Sequence, residues 1–200
     1  MGLNWTASGV RMVAAALTAG VVSVVGGVAA TAGVPGAPGG VGVTGPRNTD
    51  LAGARVVERM AGYPPLVPEE VNDPGCRVSP GREPAVVPVR GTDSTLYADY
   101  SLLGAELADA GWCVHGLDYG RGPGADDGFG WCPIAESAAQ LDATVTAALR
   151  SSGAREVSLI GFSQGGATVA RYRTNVVDGG RWTATWIGLA SPTGAAVRTV

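Results

Sequence analysis

The chain has 200 residues, 46% of them hydrophobic and 16% charged, with a formal net charge of −3. This is length for one domain, or one domain plus a tail, and the charge excludes a basic nucleic-acid footprint and a charge-swollen disordered chain. All 14 basic residues are Arg, which also excludes Schiff-base chemistry, a Ser–Lys dyad and a P-loop lysine.

In chain order, Arg11 precedes an apolar run from Met12 to Ala30 that holds no ionisable group, and Ala30-Thr31-Ala32 supplies small residues in a cleavage pattern. Residues 1–32 therefore read as a secretory signal, and the expected location is extracellular. The alternative is a chain anchored in the membrane by residues 12–30, since the run is close to spanning length. Residues 33–50 read as a Gly/Pro-rich linker. Gly40-x-Gly42-x-x-Gly45 within it matches a dinucleotide fingerprint in letters only. No strand precedes it and Pro46 follows, so no cofactor is expected. Cys76, Cys113 and Cys132 lack Cys-x-x-Cys or His-rich spacing, and no metal is expected either. Three cysteines allow one disulfide and leave one thiol over.

From residue 85 the pattern alternates. Ala85–Arg90 is a short apolar strand, which Pro88 weakens as a central one. Leu96, Tyr100, Leu103, Leu107 and Ala110 recur at helical spacing, with Gly111 as the stop. Residues 112–119 read as the next strand. Ile134, Ala138, Leu141, Val145 and Ala148 mark a second helix ended by Gly153. Val157–Ile160 is a strand, 164–177 a helix, and Thr185–Leu189 a last strand. Strands alternating with helices imply an α/β fold with a parallel sheet covered on both faces.

Gly161-Phe162-Ser163-Gln164-Gly165 falls where a buried strand turns into a helix. G-x-S-x-G at such a turn reads as a nucleophile elbow. The tight turn holds the Ser163 hydroxyl at the carboxyl edge of the sheet, Gly161 and Gly165 let the turn close, and the Gln164 N–H points at a developing oxyanion.

Several segments in order resemble the secreted bacterial class 2 lipases of the α/β-hydrolase fold. Asn72-Asp-Pro-Gly-Cys76-Arg resembles that family's N-D-W-S-C-R. Trp112-Cys113-Val-His-Gly-Leu-Asp118-Tyr119-Gly120 resembles its G-Y-C-V-F-A-L-D-Y-G. Ile134-Ala-Glu-Ser137-Ala138 matches I-x-x-S-A, Ser158-Leu-Ile-Gly161-Phe-Ser163-Gln164-Gly165-Gly166 resembles D-L-V-G-H-S-Q-G-G, and Gly188-Leu-Ala-Ser-Pro192 resembles G-L-A-P. The resemblance covers roughly residues 70–194. It implies a mostly parallel sheet with helices on both faces in 51–200, incomplete at its C-terminal strands. It further implies acyl ester or lipid substrates, a Cys76–Cys113 disulfide with Cys132 spare, and an oxyanion site formed by the Gln164 amide and a second one, most directly that of Thr92.

The sequence also departs from that family. Arg90 stands before Gly91-Thr92 where the family has His, and a bulky cation there is expected to distort the loop. His115, the one His, lies 48 residues before Ser163, whereas in this fold the triad runs Ser, acid, His. It reads as a structural imidazole. After Ser163 the one carboxylate is Asp178 and no His follows. The expectation is a truncated, poorly active hydrolase whose acid and base belong to a missing part. An uncovered sheet edge is expected to promote self-association. A non-catalytic relative that binds a lipid or a partner is the alternative.

Overall fold

In the computed structural model, residues 43–47, 53–54, 56–57, 66–121, 129–170, 173–177, 180–191 and 197–199 are described. The apolar run 12–30 with its cleavage pattern, and Asp178, lie outside them. Among the described residues no helix is long and apolar enough to cross a membrane.

Three of the strands of the main sheet run parallel: β3 (Ala85–Val89), β4 (Val157–Phe162) and β5 (Thr183–Leu189). Val197–Thr199, here β6, pairs antiparallel along β5 from Thr185 to Ile187. The sheet order is β3-β4-β5-β6.

Residues 112–119 do not form the strand their pattern suggests. They touch the free side of β3 through one parallel bridge, Val86 to Val114, in which the Val86 N–H donates to the Cys113 carbonyl at 2.8 Å and the His115 N–H to the Val86 carbonyl at 2.9 Å. In a parallel ladder the next donor on that side of β3 is residue 88. Pro88 has no N–H, so pairing stops there. Beyond it the chain bonds elsewhere: the Gly116 N–H and carbonyl take up the side-chain amide of Asn72 at 2.8 and 3.0 Å. The proline that argues against a central strand is thus accommodated by ending its neighbour.

Helix α1 (Leu96–Asp109) joins β3 to the Val114 bridge. Its start is the Thr95 cap, whose hydroxyl accepts from the Ala98 N–H at 3.0 Å, and Gly111 leaves it at φ +86. Helix α2 (Ile134–Ser152) ends in left-handed Gly153 at φ +74. The two helices cover opposite faces. Val87, Val89, Val157, Leu159 and Trp186 cluster with Leu141, Val145 and Ala148 of α2. Val86 and Ile160 cluster with Leu96 and Tyr100 of α1. Strand alternation alone sends neighbouring residues to these two cores.

Two features fall outside the alternating pattern. Val43–Gly45 (β1), within the stretch read as linker, pairs in parallel with Leu66–Pro68 (β2). It is held on α1 because bare Gly45 makes room for the Tyr97 ring, whose hydroxyl donates to the Pro46 carbonyl at 2.5 Å. After β4 the chain winds as π-helix, over Gly165–Ala170 and again over Arg173–Val177.

The Cys76–Cys113 disulfide ties the segment before β3 to the Val114 bridge across a sequence separation of 37 residues. Cys132 is a free thiol, bonded to the Arg121 carbonyl at 3.1 Å. Closing a loop of this size restrains the unfolded chain by about 2–4 kcal/mol. Urea denaturation with and without a thiol reductant should show a loss of that order. An unchanged midpoint would contradict the restraint.

Candidate functional site

The chain leaves the carboxyl ends of β3 and β4 in opposite directions. From β3 it runs through α1 to the Val114 bridge on one side, and from β4 to β5 on the other. Parallel sheets carry their crevice where connections diverge in this way, and the two lips of that point are Gly91-Thr92 and Ser163-Gln164.

Ser163 sits at φ +49, a left-handed conformation that costs a non-glycine residue on the order of 1 kcal/mol or more. Close backbone approach on both sides holds it there. A Cβ on Gly165 would overlap the carbonyl oxygens of Val89 and Arg90, and one on Gly161 would overlap the backbone of Gly166. The first glycine seats the start of the π-wound segment on the end of β3, and the second brings that segment back over β4. Within this closure the Ser163 N–H donates to the Leu189 carbonyl at 2.9 Å, and the Ser163 carbonyl accepts from the Ser191 hydroxyl at 2.9 Å. Among the described residues its hydrogen bonds are both through the backbone, and no imidazole or carboxylate bonds its hydroxyl. Phe162 and Leu189 are cross-strand partners beside it, 38% and 39% exposed, forming an apolar shelf at the sheet edge.

Thr92 lies across the crevice. Gly91, where a Cβ would be 3.3 Å from that of Ser163, brings the two lips together. The flanking amides are committed: Gly91 N–H donates to Asp99 Oδ2 at 2.9 Å and Asp93 N–H to the Phe129 carbonyl at 3.0 Å. Thr92 N–H donates to none of the described residues. Gly130, at φ +83, wedges between the two candidate donors: a Cβ there would lie 3.2 Å from Thr92 Cα and 2.9 Å from Gln164 Oε1. The structure thus brings Ser163, Gln164, Thr92, Gly161 and Gly165 into one neighbourhood, while Cys76 and Cys113 serve the fold elsewhere.

Arg90 departs from its expected effect as an obstruction. The side chain is fully buried and turned into the protein. Nε meets Asp118 Oδ1 at 3.2 Å, Nη1 donates to the Gly91 carbonyl at 2.7 Å, and Nη2 donates to the Tyr119 carbonyl. The guanidinium stacks between the Tyr119 ring, 4.2 Å away, and the Phe129 ring at 4.9 Å. A buried cation is tolerated when it is paired and its donors are used, and both conditions hold. Burial pushes the Asp118 carboxyl above its usual range and the guanidinium below its own, while their mutual attraction opposes both shifts. Asp118 Oδ1 also accepts the Leu96 N–H at 2.6 Å, fixing the start of α1. Tyr119 returns its hydroxyl to the Arg90 carbonyl at 2.6 Å, and burial raises its pKa to about 12. Gly130, Asp99, Tyr119 and Asp118 were not legible as site residues. The one available signal was Arg90 itself, a charge inside an otherwise apolar strand end.

His115 is placed away from this crevice. Its backbone bonds Val86, which registers with Ser158, and Ser163 lies five residues further along the chain, roughly 16 Å at strand rise. Among the described residues no group of three His, Cys, Asp or Glu is placed to hold a metal ion. No protein-family model and no curated protein matches the chain.

The His115 ring is buried, its Nε2 has no hydrogen-bond partner among the described residues, and burial lowers its pKa to about 4 against an opposing pull from Asp73. In the unfolded chain the ordinary value is about 6.5, so the unfolded chain takes the proton first. This contribution to stability is full above about pH 6.5 and is lost as pH falls toward about 4, a matter of a few kcal/mol. Urea denaturation at about pH 4.5 and about pH 7.5 should show a smaller pH difference for His115→Phe than for wild type. Equal differences would contradict the buried neutral ring.

Proposed function

We propose that this protein is a secreted serine hydrolase of lipase type, with an α/β-hydrolase sheet, that cleaves carboxylic (acyl) esters through Ser163. The observation that carries the reading is the turn: Ser163 at φ +49, closed by Gly161 and Gly165 at the divergence of two parallel connections. Strain held at a crevice by over-determined surroundings is a mark of a working residue. In this reading Ser163 Oγ attacks the acyl carbonyl while its proton passes to a base. The carbonyl oxygen, now negative, is taken by the amides of Gln164 and Thr92, and collapse expels the alcohol and leaves an acyl-serine for water to cleave. The Phe162–Leu189 shelf beside the serine favours an apolar acyl group over a charged one.

The base is the part that the described residues do not supply. His115 is distant and no His follows Ser163 in the sequence, so within these 200 residues the reading leaves the base unassigned. Self-association through the sheet edge belongs to the same reading, since among the described residues β6 pairs with three residues of β5. The second reading, a non-catalytic relative that binds a lipid or a partner, draws on the Ser163 hydroxyl, which bonds no acid or base among the described residues.

Fluorophosphonate labelling separates the two. A covalent adduct mapped to Ser163, absent from Ser163→Ala, is the expected result. A series of nitrophenyl esters of increasing acyl length should then be cleaved in preference to the matching amide. No adduct at Ser163, with a competent serine hydrolase as control, would leave the binding reading standing.

A further inference from the structure

We infer that Arg90 is a positioning residue that aims the Thr92 N–H into the crevice, an inference that rests on the serine hydrolase reading for its catalytic meaning but not for its geometry. A trans peptide holds its carbonyl and the following N–H in one plane and pointing oppositely. The carbonyl of the Gly91–Thr92 peptide is bonded by Arg90 Nη1 at 2.7 Å from inside the protein. Its N–H is therefore turned the other way, away from the buried guanidinium. Both neighbouring peptides are fixed as well, by Asp99 on Gly91 N–H and by the Phe129 carbonyl on Asp93 N–H. Of three consecutive amides, the middle one alone is left without an acceptor among the described residues.

Arg90 is itself immobilised. Asp118 fixes Nε, the Tyr119 carbonyl fixes Nη2, and the Tyr119 and Phe129 rings close both faces of the guanidinium plane. A cation on a peptide carbonyl also polarises the group and makes its N–H a stronger donor. Arg90 touches no position a substrate would occupy, because it has no exposed surface. It acts through the Gly91–Thr92 peptide. Geometry carries the effect: the planar fork and its stacking are beyond Lys, which offers a point charge.

The test uses Arg90→Lys and the double variant Arg90→Met/Asp118→Asn. The double variant leaves no unpaired buried carboxylate, and its Asn can still accept the Leu96 N–H. Two quantities are read in each folded protein: the residual dipolar coupling of the Thr92 N–H, with couplings of Leu141 and Leu159 as references, and the rate of fluorophosphonate labelling at Ser163. The expected result is a changed Thr92 coupling with unchanged references, and labelling slower by roughly 10- to 100-fold, up to the cost of losing one oxyanion donor. Unchanged Thr92 coupling and wild-type labelling in both variants would overturn the inference. If wild type labels no faster than Ser163→Ala while the Thr92 coupling still moves, the aiming stands and the nucleophile reading falls.

Discussion

Gly165 rests on the carbonyls of Val89 and Arg90 with no room for a side chain. That approach sets the height at which the chain leaves β4. Because the chain must climb over the end of β3 within three residues of Phe162, the residue at the bend cannot take ordinary strand or helix angles, and Ser163 is left at φ +49. Gly161 repeats the constraint from the other side, against Gly166. Once the bend is fixed, the Ser163 N–H falls on the Leu189 carbonyl and its carbonyl on the Ser191 hydroxyl. The serine is thus held through its backbone, while among the described residues nothing bonds its hydroxyl. Strain of this kind persists only where its surroundings over-determine it.

The opposite lip is built on a different principle, a buried charge. Arg90 at the end of β3 is placed where burial is costly unless every donor is used, and the protein surrounds it with a carboxylate, two carbonyls and two aromatic rings. The same Asp118 that neutralises it also holds the first turn of α1. The loop after β3, the start of α1 and the loop carrying Phe129 and Gly130 are thereby joined through one guanidinium. Removing it alone would strand a buried carboxylate, which is strongly destabilising. Such a network is suited to holding a loop in one arrangement, and that loop faces the strained serine.

Much of this was legible because it follows from period and punctuation. Two helices at 3.6-residue spacing, with Gly111 and Gly153 beyond their ends, and three parallel strands come directly from apolar patterning. The G-x-S-x-G turn could be placed because a buried strand precedes it. The misread strand at 112–119 is instructive. Its pattern is strand-like, yet pairing depends on the neighbour, and Pro88 in β3 withdraws the donor it needs. β1, β2 and β6 are three residues each and carry too little periodicity to be seen. Their presence depends on contacts such as Tyr97 against Gly45, which no local pattern encodes. Arg90 was visible but read by size and charge at the mouth of a loop. Whether a cation points inward is settled by partners that lie 28 and 29 residues away in sequence. The π winding after Ser163 has no signature that we can identify in the residues that adopt it.

We propose that the fold stores strain in the backbone of Ser163 to present its hydroxyl, and replacing Ser163 by glycine measures that strain. Glycine accepts a left-handed φ without penalty. If the strain is real, Ser163→Gly is more stable than Ser163→Ala in urea denaturation by about 1 kcal/mol, against the usual loss on replacing Ala by Gly, and neither variant labels with fluorophosphonate. If Ser163→Gly is instead the less stable of the two, the residue is not strained and the account of this turn as a nucleophile elbow is contradicted.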